Sequence, residues 1–471
     1  RTLDFPITFN GVGGTFQLAG NLTLGTTRAI TLTAGTLDLN NFTFTGASLS
    51  SNGTGVRSLQ FGTTGQITLV GNAATILDFT TATNFTYTGT LRIYSNYNGA
   101  TGTRTFNFGG TAGATTTNDF DVSIGTSGTG LVIRAGTDSV DLAGVYNNVD
   151  LTGLTMTIPN SAKTIYGNLT IPGTGGALTA GANALTFAGT GTQTITTNGR
   201  TLDFPITING VGGTFQLQDN LLQGTTRAFT HTNGTLNLNG KTLTVGTTYT
   251  TAAGTKNLTF NGGTLICPAA SVTSFNNAVP AGFTTTAGSG TGTISMTAAT
   301  AKTFVGGGVT YNCDIDNNGA GALTITGINT FNTIKSSYAN ATANTSILLP
   351  AGNTTITVGI VGGSASNKIL ALSTAANTRA NVVISNASIQ TASFLSTNSI
   401  VFIAGTLPTD GSVPWRWYLA NSVNNGDTFG AVFQRYNIDA PIIYYIRSGT
   451  TFKVPYDWNN ANNSVHLYGG G

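Results

Sequence analysis

The chain has no glutamate: all 16 acidic residues among its 471 are aspartates. Only 7% of residues are charged, and the 19 basic ones form no run. That excludes a basic patch of the kind nucleic-acid binding needs. Glu, Lys and Arg are strong helix formers, so their scarcity beside 64 glycines and abundant Thr and Asn argues for strands and tight turns. Cysteine is limited to Cys267 and Cys313, too few for a disulfide scaffold and in no CxxC or Cys/His cluster that would hold zinc. No apolar stretch approaches the ~18 residues of a membrane span. Two buried thiols, no cofactor, no metal, no nucleic-acid partner and no membrane span are the expectations.

What is present is repetition. Residues 200–244 copy residues 1–45 without a gap at an offset of 199 (200 − 1), with 33 of 45 positions identical. Arg1-Thr-Leu-Asp-Phe-Pro-Ile-Thr8 returns as Arg200-Thr-Leu-Asp-Phe-Pro-Ile-Thr207, and Gly11-Val-Gly-Gly-Thr-Phe-Gln-Leu18 as Gly210-Val-Gly-Gly-Thr-Phe-Gln-Leu217. An active site needs a unique constellation, whereas a body of stacked units needs only neighbour contacts and duplicates freely. Hydrophobic residues, 39% of the chain, fall in alternating pairs, which favours an ordered β protein over a disordered one.

The pairs Phe16/Leu18, Leu22/Leu24, Ile30/Leu32, Leu37/Leu39 and Phe42/Phe44 each share one strand face. Between them lie turn residues such as Gly25-Thr-Thr27, Ala34-Gly-Thr36 and Asn40-Asn41. Three such strands with their corners take about 20–22 residues, which predicts an all-β, elongated, right-handed parallel β-solenoid; an antiparallel sandwich is the alternative. Roughly twenty coils at about 4.8 Å give a rod on the order of 95 Å. Thr suits the outward positions and Asn the corners, where its amide reaches the next coil. The two copies should occupy equivalent places on successive superunits, with Phe5, Phe204, Phe16 and Phe215 inward and Arg28 and Arg227 facing solvent. Phe16→Ala should cost ~3–5 kcal/mol, much more than Thr31→Ala. Cys267 and Cys313, 46 residues apart (313 − 267) and so about two coils, should be unbonded.

Composition divides the chain into a first superunit (1–199), a second (200–331), divergent coils (332–412) and an aromatic-rich C-terminal β module (413–471). The last of these holds all three tryptophans, Trp415, Trp417 and Trp458, with Tyr418, Tyr444, Tyr445 and Tyr468 among its other aromatics. These seven are the candidate receptor contacts, since aromatic faces stack on sugars. The bare start at Arg1 and the final Gly469-Gly-Gly471 lead us to expect further sequence at both ends.

Two stretches resemble tailed-bacteriophage virion appendages. Residues 191–217, containing the second Arg-Thr-Leu-Asp-Phe-Pro block, resemble repeat modules of long phage virion proteins. Residues 444–471, through Val454-Pro455, Asp457-Trp458-Asn459 and Asn462-Asn463-Ser464, are similar to a segment that precedes glycine-rich ends of phage tail or fibre proteins. The resemblance implies a structural rod of a tail fibre that presents a host-binding tip, in contact with other virion proteins, with a host surface glycan or receptor, and with itself as a homotrimer. Such modules also occur in bacterial surface adhesins, so a cell-surface adhesin or extracellular filament subunit is the first alternative.

Phage solenoids also cleave polysaccharide, which makes a depolymerase the second alternative and the pairs Asp119/Asp121 and Asp314/Asp316 its candidates. Glycosidases need two carboxyls about 5–10 Å apart, one with a raised pKa in a protected pocket. The absence of Glu and of a nearby His favours solvated strand positions and no enzyme. Asp314-Ile-Asp-Asn-Asn-Gly319 opens like a calcium loop, but its twelfth position is Ile325 instead of the closing Glu. His231 and His466 have no evident partner, and the many Ser and Thr single out no triad. The Thr-x-Thr pairs Thr31/Thr33, Thr43/Thr45 and Thr242/Thr244 suit an ice-binding face, but equally any outward β face.

Overall fold

A computed structural model describes residues 1–97, 102–109, 120–269, 273–338 and 345–361, and beyond them separate strands between 369 and 434. Among the described residues there is no helix, and every strand pairing is parallel. The fold is an all-β parallel solenoid. Apolar residues at every second position turn into one continuous core, while Thr, Asn and Ser between them stay half-exposed.

Three ladders run side by side. One starts at Thr2–Leu3 and passes through Leu22–Leu24, Thr43–Gly46, Gln66–Leu69 and Arg92–Ser95. A second rises from Ile7–Phe9 through Ile30–Leu32, Leu49–Ser50, Thr75–Phe79 and Thr103–Phe108. The third rises from Thr15–Gln17 through Thr36–Asp38, Arg57–Gln60 and Phe85–Thr88. The long strand Ile7–Gln17 serves two ladders by turning a corner at Gly11–Gly14. Gly35 crosses that corner with φ 89°, and a Cβ there would lie 2.2 Å from the Gly11 carbonyl oxygen. Gly234 repeats this at the Gly210 carbonyl in the second copy.

In the duplicated coils the spacing follows the expectation: Thr2 pairs with Thr23, 21 residues on (23 − 2), and Leu37 with Leu59, 22 on (59 − 37). Elsewhere the coils lengthen, to 29 between Leu77 and Phe106 and to 38 between Arg92 and Gly130. Between Arg92 and Gly130 the added length includes Val122–Ile124, a further strand of the same ladder.

The two copies have one internal register. Ile7 pairs with Ile30 as Ile206 pairs with Phe229, and Phe16 with Leu37 as Phe215 with Leu236. They differ in azimuth. The ladder that starts at Thr2–Leu3 continues from Arg92–Ser95 through Gly130–Ile133, Val122–Ile124, Val149–Asp150, Leu169–Thr170 and Thr192–Thr196. It then meets Thr214–Leu217, not Thr201–Leu202, the copy of its own first strand. The 199-residue offset is therefore not a whole number of turns, and the second copy is rotated by one face. This corrects the expectation of equivalent places.

The phenylalanines also depart from expectation. Phe215 is buried, whereas Phe16 is 36% exposed and Phe5 55%, with Phe204 between. The difference lies in the neighbours: Thr192–Thr196 stacks beneath Phe215, and Phe187 approaches its ring at 6.1 Å, while no described coil lies beneath Phe16. Arg28 and Arg227 are half-buried and bridge to Asp4 at 2.9 Å and Asp203 at 2.7 Å.

Corner asparagines tie coil to coil as expected. The Asn21 and Asn220 side-chain oxygens accept from the Thr43 and Thr242 amides, each at 2.9 Å. Asn40 and Asn239 donate back to the Leu18 and Leu217 carbonyls. Inside the second superunit Phe229, Tyr249, Phe275 and Phe304 stack with ring centroids 5.5, 5.3 and 4.5 Å apart. Cys267 and Cys313 are buried and free, two rungs apart through Gly292–Met296. Strands Trp417–Ala420 and Ala431–Gln434 extend the same parallel ladders past residue 412.

Candidate functional site

Of the aromatic candidates, Trp415, Tyr444, Tyr445, Trp458 and Tyr468 lie outside the described residues, as does His466. Trp417 and Tyr418 are placed by backbone alone, Tyr418 opposite Thr391 and Val432. The acidic pairs, the histidine and the basic residues therefore hold the chemistry among the described residues.

Asp119 lies outside the described residues. Asp121 is occupied: its Oδ1 accepts from the Asn147 side-chain amide and from the Asn148 amide and side chain, at 2.8–2.9 Å. Asp314 and Asp316 share the outer face of Cys313–Asn317. Lys335, one coil on, places its ammonium 2.9 Å from Asp314 Oδ2. Asp316 is 5% exposed, and burial pushes its carboxyl above the usual range, opposed by hydrogen bonds from Ser337. A carboxyl held up by burial is what a catalytic acid needs, in a protected pocket facing the substrate. Here both carboxyls are on one strand, packed under the next coil, and not across a groove.

The calcium-like loop is likewise filled. Asn317 donates to the Gly321 and Ser346 carbonyls, and Ile325, the twelfth position, is in the core. No cluster of metal-ligating side chains occurs among the described residues.

His231 is fully buried at the place where the first copy has Leu32. Its Nε2–H donates to the Gly234 carbonyl at 2.9 Å, so Nδ1 accepts from the Tyr249 hydroxyl at 2.6 Å. Burial, reinforced by Lys256, pushes its pKa down to about 4 against the Gly234 hydrogen bond.

The basic residues are the larger surprise. Five of them stand at the first core position of a strand: Arg57, Arg104, Lys256 and Lys302, which are buried, and Lys163, which is half-buried. Arg57 donates to the carbonyls of Gly55, Thr81 and Thr83. Lys256, its counterpart at the 199-residue offset (256 − 57), donates to Gly254 and Ala281. Lys302 donates to Ala298, Gly319 and Gly321. Each cation thus closes its own corner and, in Arg57, Lys256 and Lys302, the corner of the next coil, where turning backbone leaves carbonyls without a ladder partner. Burial lowers the pKa of Arg57 and Lys256, and pushes Lys163 and Lys302 down to about 8.

Arg104 differs. Its Nε meets Asp138 Oδ2 at 2.5 Å and its Nη1 meets Ser95 Oγ at 2.6 Å, with both charged side chains fully buried. Its guanidinium also lies 5.2 Å from the Tyr97 ring centre and 5.6 Å from that of Phe106. The signal was present in sequence: Val56-Arg-Ser-Leu59, Thr103-Arg-Thr-Phe106, Ala162-Lys-Thr-Ile165, Thr255-Lys-Asn-Leu258 and Ala301-Lys-Thr-Phe304 set the cation two residues before an apolar one, in the inward phase.

No protein family, no curated protein and no solved structure matches this chain.

Proposed function

We propose that this chain is a structural rod of a phage tail fibre or similar appendage, holding a host-binding tip away from the particle. The observation that carries this reading is the long run of parallel ladders, in which coil after coil of the described residues is hydrogen-bonded over a continuous core. Bending such a stack would break backbone hydrogen bonds along one side, so it resists bending at low mass. The likeness of residues 191–217 and 444–471 to phage appendage modules adds the location. The occupied Asp121, Asp314 and Asp316 support a mechanical role over polysaccharide cleavage. Neighbouring virion proteins, a homotrimeric assembly and a host glycan or receptor at the aromatic-rich end complete the proposal. Electron microscopy with antibody to residues 200–331 tests it: label is expected along a tail appendage of virions, and label on bacterial cells without virions would favour the adhesin instead.

A further inference from the structure

The core is aromatic along most of the rod, but between Tyr146 and Phe187 no aromatic side chain is fully buried. Strands there shrink to two residues at Val149–Asp150, Thr157–Ile158, Leu169–Thr170 and Ala177–Leu178. Leucine and isoleucine on such short strands do not fill the cross-section, and a cavity of about 50 Å³ remains. Leu142, Leu151, Ile158, Leu169 and Ile171 line it, with Phe204 at one side and Pro159, Asn160, Ser161 and Thr179 toward the surface. Asn160 and Asn183 clasp each other through three hydrogen bonds between backbone and side-chain groups and hold that rim.

Lys163 is the only cation on the wall. Its ammonium donates to the Pro159 and Ser161 carbonyls at 3.2 and 3.0 Å. An ammonium has three N–H donors, and the third has no partner among the described residues. Lys302 shows the filled alternative, with three carbonyls around its ammonium. Asp141, the nearest acid, accepts from the Ser161 hydroxyl.

We propose that this cavity binds a short-chain aliphatic carboxylate, the tail among the leucines and isoleucines and the carboxylate on the third N–H of Lys163. A water needs ≳10–15 Å³ and a cavity of ~150 Å³ takes benzene, so this space fits a tail of about two to four carbons. The apolar wall offers a water too few polar partners to keep it there.

Butyrate and acetate, equal in charge and unequal in tail, are the probes. Acylation of Lys163 by an activated ester, followed by peptide mass spectrometry, should slow at least tenfold at saturating butyrate and stay within twofold in acetate. Ile171→Phe, which fills the cavity with an aromatic ring, should abolish the protection while its far-ultraviolet circular dichroism keeps the parent's β signature. The unaltered protein alone decides if that variant does not fold. No protection by butyrate, equal protection by acetate, or undiminished protection in a folded Ile171→Phe chain would each overturn the proposal.

Discussion

Replacing Arg104 by methionine is expected to destabilise its coils by about 3–5 kcal/mol, because Asp138 is then left as a fully buried charge without its cation. The double variant Arg104→Met with Asp138→Leu is expected to recover most of that loss. Desolvating both charges already costs several kcal/mol, and Arg104 Nη2 and Asp138 Oδ1 have no hydrogen-bond partner among the described residues. Hydrogen exchange at Phe106 and Leu142, paired in adjacent strands, reads the local opening free energy. A single variant as stable as the parent would mean that the pair makes no net contribution.

Acid should loosen the second superunit near His231. The folded-state pKa of about 4 lies below the ordinary value of 6.5, so the unfolded chain takes up the proton first. The contribution is present in full above pH 6.5 and is lost as the pH falls toward 4. Its upper bound is about 3 kcal/mol, 2.5 pKa units at ~1.36 kcal/mol each. His231→Leu, which restores the side chain of the first copy, should flatten the profile between pH 6.5 and 4. Parallel profiles for parent and variant would assign the acid sensitivity to groups other than His231, and not to buried Asp316, whose raised carboxyl pKa gives the opposite sign, gaining relative stability as it protonates.

Fold class was legible because its signal is local and repeated. Ile30/Leu32 and Leu37/Leu39 show the strand period, and Asn21 and Asn40 mark corners that the structure ties together in the predicted manner. Coil length was legible only where the sequence repeats: between Arg92 and Gly130 the chain adds Val122–Ile124, a further strand of the same ladder that no alternation pattern counts. The exposed Phe16 shows the limit of pattern: alternation gives a side chain its direction, and only the next coil gives it burial. The inward cations stand in core phase, where a charged side chain is rare unless it is paired. Lys256 and Lys302 occupy core phase because the corner carbonyls, which no alternation pattern registers, need a donor. The Asp314/Asp316 pairing was visible as spacing, but Lys335 arrives from another coil, 21 residues later.

The rotation of the second copy by one face bears on how such a rod meets other molecules. A duplicated surface, such as the outer positions of Thr8 and Thr31 and their counterparts Thr207 and Thr230, points one way in the first block and another in the second. A rigid flat partner can therefore touch only one copy at a time, and gains nothing from the duplication. A partner that wraps the shaft, or two arms joined by a linker long enough to turn the edge, engages both and gains the effective concentration of a tethered pair. Blocks related in this way follow a screw instead of a translation, and on a three-faced shaft the fourth block would again face as the first. Repetition along the sequence thus becomes distribution around the circumference.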